Sequence, residues 1–189
     1  MSVAAWVDGE AIGVDEVQQR LDRLRARDRA GSLPKADSRE GRQLRRWVTQ
    51  VAVVERLCEH LTPGSCSEPH RNPYPDRTNE GWPTGVPTRA DAAALGSIVA
   101  AAWANPAVSR AAAAVTSDVV MSPERLRYAA ELAATDDGGT AWSGEELLTS
   151  ARLEAFARWL SRATHERVRL EEGFEHPGDA SQPDNLHEH

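Results

Sequence analysis

Hydrophobic residues recur at helical spacing along most of the chain and alternate with polar residues only near its two ends. The longest helical pattern extends for nearly five turns, and the pair Asp37 and Glu40 predicts a capping box at its start. Its apolar face is formed by Leu44, Trp47, Val48, Val51, Val54, Leu57, Cys58 and Leu61. This helix is therefore expected to form the centre of the core.

Start signals predict further helices on both sides of the central one. A helix is expected from about Val14, with Val17, Leu21 and Leu24 on one narrow apolar stripe. Later start signals are Thr88 with Asp91, Ser122 before Pro123, and Ser143 with Glu146, whereas Asn105-Pro106 is expected to end one helix before another begins at Pro106. The first of these is expected to open an alanine-rich helix that continues through Leu95 and Val99 to Trp103.

The two ends of the chain have the pattern of short strands. Residues 4–7 precede Asp8 and Gly9, a pair typical of tight turns, and residues 167–170 alternate polar and apolar side chains. Pairing the two strands would protect an edge of each. The sequence therefore predicts a mainly α fold, a single helical domain with a small two-stranded sheet that joins the N- and C-terminal strands.

Composition narrows the classes of partner. A formal net charge of -7 argues against sequence-independent nucleic-acid binding, and the arginines at 20–29 and 39–46 are expected on solvated helix faces. No apolar run is long enough for a membrane span or a secretory signal, and two cysteines are too few for a disulfide scaffold. We therefore expect a cytoplasmic protein without nucleic-acid or membrane partners.

The least regular segment is residues 62–87, which hold six prolines and three glycines in 26 positions. Proline removes a backbone donor and disfavours helix, so the segment is predicted to be a long irregular loop.

Residues 4–24, AAWVDGEAIGVDEVQQRLDRL, and residues 143–174, SGEELLTSARLEAFARWLSRATHERVRLEEGF, resemble the opening and closing segments of the SurA-like module of parvulin-type peptidyl-prolyl isomerases. Residues 122–135 resemble the helix that precedes the inserted isomerase domain, with Leu126-Arg127-Tyr128 kept from its pattern. The resemblance covers residues 4–61 and 118–174. It implies a SurA-like helical module over residues 1–174, followed by a histidine-containing tail over residues 175–189.

The resemblance does not extend to catalysis. Residues 136–141 form a join of six residues where the family inserts its isomerase domain. No residue matches the family's active-site histidines or cysteine, so prolyl isomerase activity is predicted to be absent.

The tail carries one of two candidate metal sites. His176, Asp184, His187 and His189 have the side chains that bind zinc, nickel or copper, with a disordered polar terminus as the alternative. A second set, Cys58, His60, Cys66 and His70, has no standard zinc spacing, and a buried structural thiol is the simpler interpretation of Cys58. No cofactor is predicted to be required.

The tryptophans divide into two groups. Trp6, Trp47, Trp103 and Trp159 occupy apolar positions on their elements and are expected in the core. Trp82 and Trp142 lie in or beside loops, where aromatic side chains favour recognition of a partner. The predicted ligand- or peptide-binding residues are Tyr74, Trp82, Tyr128 and Trp142.

These features predict a non-catalytic peptide- or protein-binding module, chaperone-like or an assembly factor, whose partner is a protein or peptide client. The alternative is a small biosynthetic enzyme with a small-molecule substrate, metal-assisted through the C-terminal histidines. Its candidate acid and base groups are His70, Asp76, Glu80, Tyr128 and His176. A subunit of a larger complex is a third class. The oligomeric state does not follow from the sequence.

Overall fold

A three-stranded antiparallel sheet joins the two ends of the chain in the computed structural model, which describes residues 2–26, 33–61, 87–125, 127, 128, 131 and 143–179. Strands β1 (Val3–Val7), β2 (Glu10–Gly13) and β3 (Val168–Leu170) lie in the order β2-β1-β3. The predicted pairing of the terminal strands is confirmed by the register Ala5↔Leu170, Trp6↔Arg169 and Val7↔Val168.

Strand β2 makes the sheet larger than the expected two strands. Asp8 and Gly9 both have positive φ, 51° and 84°, which is the geometry of a two-residue hairpin turn that suits the twist of paired strands. The residues after the turn therefore pair back on β1, with Val7 opposite Glu10 and Ala5 opposite Ile12.

The described helices with assigned bounds are α1 (Val14–Arg25), α2 (Arg39–Leu61), α3 (Arg89–Ala92), α4 (Ser97–Ala102), α5 (Pro106–Val115) and α6 (Gly144–Arg167). A short 3-10 helix, Ala93–Leu95, follows α3. The protein is mainly helical, as predicted. No helix in the described ranges has an apolar stretch long enough to cross a membrane.

Local caps explain where several helices begin. The predicted capping boxes of Thr88 with Asp91 and of Ser143 with Glu146 are both present, and Asn105 caps α5 ahead of Pro106. Helix α2 differs, because Ser38 accepts the hydrogen bond from Gly41 N at 3.0 Å. The predicted cap at Asp37 is therefore wrong by one residue.

The alanine-rich helix expected from Thr88 to Trp103 is divided. Gly96 has a φ of +98°, a conformation that glycine adopts without steric cost, and it lies between the 3-10 helix and α4. Ala100 N donates to Gly96 O at 3.1 Å, so a new helix begins there.

The chain divides into two compact units, residues 1–57 with 162–189 and residues 58–161. In the first unit the core is drawn from the sheet, α1 and α2; in the second it is drawn from α3 to α6, with Phe156 fully buried. The central role predicted for α2 is confirmed, since residues 48–54 are all buried. The assignment of residues 1–174 to one module stays a prediction.

The tryptophans are less uniform than expected. Trp103 is buried, whereas Trp6, Trp47 and Trp159 are half-buried. Trp6 lies between the buried residues Ala5 and Val7 of β1. Because neighbouring strand residues point to opposite faces, its ring lies on the outer face of the sheet, and the core prediction for Trp6 is wrong.

Candidate functional site

The exposed large hydrophobic residues of the described chain are Val120 and Tyr128, at 79% and 63% relative exposure. They flank the start of the helix predicted from Ser122. Arg125 N donates to Ser122 Oγ at 3.3 Å, and the described residues of this segment, among them Tyr128, are helical. Ser122 therefore caps the helix as predicted, and it fixes the backbone that carries Tyr128.

The surroundings of these two side chains are also open to solvent. Ser117, Asp118, Ser122, Pro123, Glu124, Arg125 and Arg127 are exposed, and Val119 and Met121 are partly exposed. We call the described residues between 117 and 128 the Val120–Tyr128 surface. This segment carries exposed apolar side chains and exposed charges of both signs, which is a composition suited to a protein or peptide partner.

Of the predicted binding residues, Tyr128 is the one that the structure describes. Tyr128 is exposed, and its binding role stays a prediction. Tyr74, Trp82 and Trp142 lie outside the described residues, and so does the Pro-rich segment up to residue 86.

Of the three histidines predicted to bind metal in the tail, His176 lies within the described residues. Its ring is exposed, and its Nδ1 accepts a hydrogen bond from Gly178 N at 3.0 Å. A nitrogen that accepts a proton donor has no lone pair left for a metal, so coordination through Nδ1 would break this turn. Asp184, His187 and His189 lie outside the described residues.

No group of three or more potential metal ligands occurs within the described part of the chain. Cys58 is fully buried, which agrees with the structural-thiol interpretation, and His60 is half-buried. Cys66 and His70 lie outside the described residues, as do the acid-base candidates Asp76 and Glu80.

A second feature, on α2, was missed by the sequence analysis. Arg46 and Gln50 lie one helical turn apart and are each 5% exposed, although the arginines of this segment were expected in solvent. Gln50 Nε2 donates to Phe174 O at 3.4 Å, and Arg46 Nε lies 3.9 Å from Glu175 Oε2. The expectation fails for Arg46 because its acidic neighbour comes from the far end of the chain.

Phe174 and Glu175 belong to the segment that follows β3, residues 171–179, which we call the C-terminal strap. Phe174 N donates to Glu171 O at 3.0 Å, and Gly173 N donates to both carboxylate oxygens of Glu175 at 3.0 Å. Gly173 has a φ of +87°, so the turn depends on glycine at this position. The strap thus has hydrogen bonds of its own besides those to α2.

An ion-pair network links α1 and α2 in the same unit. Arg20 pairs with Glu55 and with Glu16, and Arg56 lies 3.4 Å from both Glu16 and Glu10. Burial alone would lower the pKa of Arg20, but the hydrogen bond and charge of Glu55, followed by those of Glu16, raise it above its ordinary value. Arg20 is therefore a permanently charged structural group.

The outer face of the sheet carries a small polar and aromatic cluster. The Arg169 guanidinium lies 5.3 Å from the centre of the Trp6 ring, and Trp6 Nε1 donates to Glu171 Oε1 at 2.8 Å. Arg169 also donates to the same carboxylate oxygen at 3.1 Å. These contacts satisfy the indole N–H, and they join β1 to the end of β3.

Comparison with protein families gives one match. A model described as a family of unknown function (DUF7158) matches residues 3–40, which include β1, β2 and α1. Neither the curated proteins nor the solved structures gave a match. The family match is confined to the segment that opens the first compact unit.

Proposed function

We propose that the protein is a non-catalytic module that binds peptides or proteins, acting as a chaperone or assembly factor of the SurA-like type. The observation that carries this proposal is the exposure of Tyr128 on a capped helix. A tyrosine contributes a large contact area at a small cost in conformational entropy, and it is enriched where proteins bind one another. Val120 adds an aliphatic side chain to the same surface.

The mixed charge around the Val120–Tyr128 surface favours a protein over a nucleic acid. Asp118, Glu124, Arg125 and Arg127 all belong to this segment, and all four are exposed. A phosphate backbone would need a predominance of basic groups, whereas an unfolded or extended peptide offers apolar residues with both signs of charge.

The resemblance to a SurA-like module supports the proposal, because the strands from both ends of the chain pair in one sheet. The proposal also includes a cytoplasmic location. The buried thiol of Cys58 and the small number of cysteines suit a reducing compartment.

Suppression of aggregation tests the proposal. A chemically denatured test enzyme is diluted into buffer with and without the full-length protein, and light scattering is followed. We expect the protein to reduce scattering at equimolar ratio. The double variant Val120→Ser, Tyr128→Ser should weaken client binding by roughly 5- to 30-fold, the effect of losing about 1 to 2 kcal/mol at the contact.

The matched control is Arg125→Ser with Arg127→Ser, which changes two exposed side chains of the same surface and keeps both apolar ones. It should retain most of the activity. Scattering that does not change at several-fold molar excess of protein would contradict the chaperone proposal. Equal losses in the two double variants would contradict the assignment to Val120 and Tyr128.

A further inference from the structure

We propose that Asp8 is a site of spontaneous isomerisation to isoaspartate, and that Arg167 slows this modification. The chemistry is that of an aspartate followed by a glycine, and it needs only water as a reactant. The proposal concerns a covalent change in the turn between β1 and β2, so it is independent of the proposed binding function.

The reaction begins when the main-chain nitrogen of Gly9 attacks Cγ of Asp8. A bond forms between these two atoms and a bond from Cγ to one carboxyl oxygen breaks. That oxygen leaves as water with the proton of the nitrogen and one proton from solvent, and a five-membered succinimide ring results. Water then opens the ring. Opening at Cγ restores aspartate, whereas opening at the main-chain carbonyl carbon leaves the chain connected through Cγ, which is isoaspartate.

The turn leaves the attacking nitrogen accessible. Gly9 has no side chain, and a Cβ atom placed on it would meet no other atom within 4 Å. Asp8 and Gly9 are both exposed, so water can reach the ring and open it. The turn therefore satisfies the steric and solvent requirements of the reaction.

Arg167 opposes the first step because it binds both oxygens that could leave. Its Nε donates to Asp8 Oδ1 at 2.7 Å, and a terminal nitrogen donates to Oδ2. The planar guanidinium fork matches a planar carboxylate. When Cγ becomes tetrahedral under attack, its oxygens leave that plane, and the departing oxygen must give up its bond to Arg167. The pair thus stabilises the unreacted aspartate more than the transition state.

Isoaspartate would not restore the contacts of this turn. It adds one carbon atom to the main chain and moves the carboxylate to Cα. The two-residue turn places Val7 opposite Glu10, and Asp8 N donates to Arg167 O at 2.9 Å. Because the length of a hairpin turn sets the register of its strands, a longer main chain should disturb both contacts. The modified protein should therefore be less stable.

The test incubates the full-length protein at neutral pH in water labelled with heavy oxygen, because each passage through the ring adds one labelled oxygen to the residue. Trypsin digestion in ordinary water gives the peptide of residues 1–20, and mass spectrometry of its fragments measures the label at Asp8. Asp137-Gly138 is the other Asp-Gly pair of the sequence and lies outside the described residues. It is measured in the same samples, in the peptide of residues 128–152, as the internal reference.

Arg167→Ala should increase the rate of labelling at Asp8 about fivefold, the change in open fraction that corresponds to about 1 kcal/mol for a partly exposed pair. The rate at Asp137 should not change. Arg167→Lys keeps the charge without the planar fork, and should give a smaller increase at Asp8. Arg158→Ala is the matched control on the same helix, since its exposed pair is with Glu154, and it should change neither rate.

The proposal is overturned if Asp8 takes up no label in Arg167→Ala, or if its rate equals that of the unsubstituted chain. An equal increase at Asp137, or an equal effect of Arg158→Ala, would also overturn it, because protection would then not be specific to the pair. Aged protein that contains isoaspartate, isolated by ion-exchange chromatography, should unfold at a lower urea concentration than unaged protein. Equal midpoints would overturn the predicted disturbance of the turn.

Discussion

Arg167 and Asp8 form a bidentate ion pair where the C-terminal end of α6 meets the turn between β1 and β2. Arg167 Nε donates to Asp8 Oδ1 at 2.7 Å, a terminal nitrogen of the same guanidinium donates to Oδ2, and Asp8 N donates to Arg167 O at 2.9 Å. Both the side chains and the backbones of these residues therefore join the two ends of the chain.

The Arg167–Asp8 pair should contribute measurably to stability. Arg167→Ala is expected to lower the free energy of unfolding by about 1 kcal/mol, since the pair is bidentate but partly open to water. The measurement is urea unfolding followed by circular dichroism. Arg158→Ala on the same helix is the control, because its pair with Glu154 is well exposed and should change stability by less than about 0.5 kcal/mol. Equal effects of the two substitutions would contradict this prediction.

Phe156 should be the most sensitive position among the aromatic residues of the second unit. Its ring is fully buried, makes an edge contact with Trp103 at 5.7 Å and stacks on Trp159 at 5.6 Å. Phe156→Ala should lower the free energy of unfolding by about 3 to 5 kcal/mol and change the tryptophan fluorescence, because a cavity replaces the ring. Phe156→Leu should cost about 1 kcal/mol. Tyr128→Ala, at an exposed aromatic position, should change stability by less than about 0.5 kcal/mol.

Asn105 has two roles that substitutions can separate. Its Oδ1 accepts from Ala107 N at 3.0 Å as the cap of α5, and its Nδ2 donates to Glu59 Oε1 at 2.9 Å. Asn105→Ala removes both bonds and should cost about 1 to 2 kcal/mol of unfolding free energy in thermal melts. Asn105→Asp keeps the cap but places two carboxylates together, so it should cost less. Adding Glu59→Gln to the Asn105→Asp variant should restore part of the lost unfolding free energy, because it removes the second carboxylate. If the double variant is no more stable than Asn105→Asp, repulsion from Glu59 is not the cause of the loss.

The capping box at the start of α6 predicts a dependence on pH. The hydrogen bond from Ser143 N at 2.6 Å, followed by the bond with its side chain, holds the pKa of Glu146 below its ordinary value. Because the pKa of Glu146 is lower in the folded than in the unfolded chain, the box stabilises the fold at neutral pH. This contribution is lost as the pH falls through the folded-state pKa of Glu146.

An NMR titration of the Glu146 carboxyl carbon measures this pKa. Ser143→Ala should raise the pKa only part of the way to the ordinary value, since the backbone N–H remains as the stronger donor. A pKa that rises fully to the ordinary value in Ser143→Ala would show that the side chain, and not the backbone, is the main cause.

The elements that the sequence predicted well are those with local causes. Thr88, Ser122 and Ser143 all cap helices as expected, because a cap acts within three residues of its own position. The break expected at Asn105-Pro106 is also present, and Asn105 caps the helix that follows it. The strand at Val168–Leu170 followed from alternation within a few residues. Its pairing with β1 was inferred from the need to protect edges, and is confirmed.

The features that the sequence did not predict depend on distant partners or on backbone angles. Arg46 is buried beside Glu175, which no local pattern indicates. Gly96 could have continued a helix, and its φ of +98° is a property of the folded backbone. Strand β2 is the exception, because the Asp8-Gly9 pair already indicates a tight turn, and the strand that returns after such a turn could have been recognised from the sequence.

The central place of β1 in the sheet constrains when the protein can fold during synthesis. One neighbour, β2, follows β1 directly in the chain and can pair with it early in synthesis. The hydrogen bond from Trp6 to Glu171 can form only later, because Glu171 is 165 positions further along the chain. Until then the β3 side of β1 exposes backbone groups that can pair with another nascent chain. The sheet is therefore completed only after β3 has been synthesised, and slow elongation between the codons of β2 and those of β3 should increase self-association of the nascent chains.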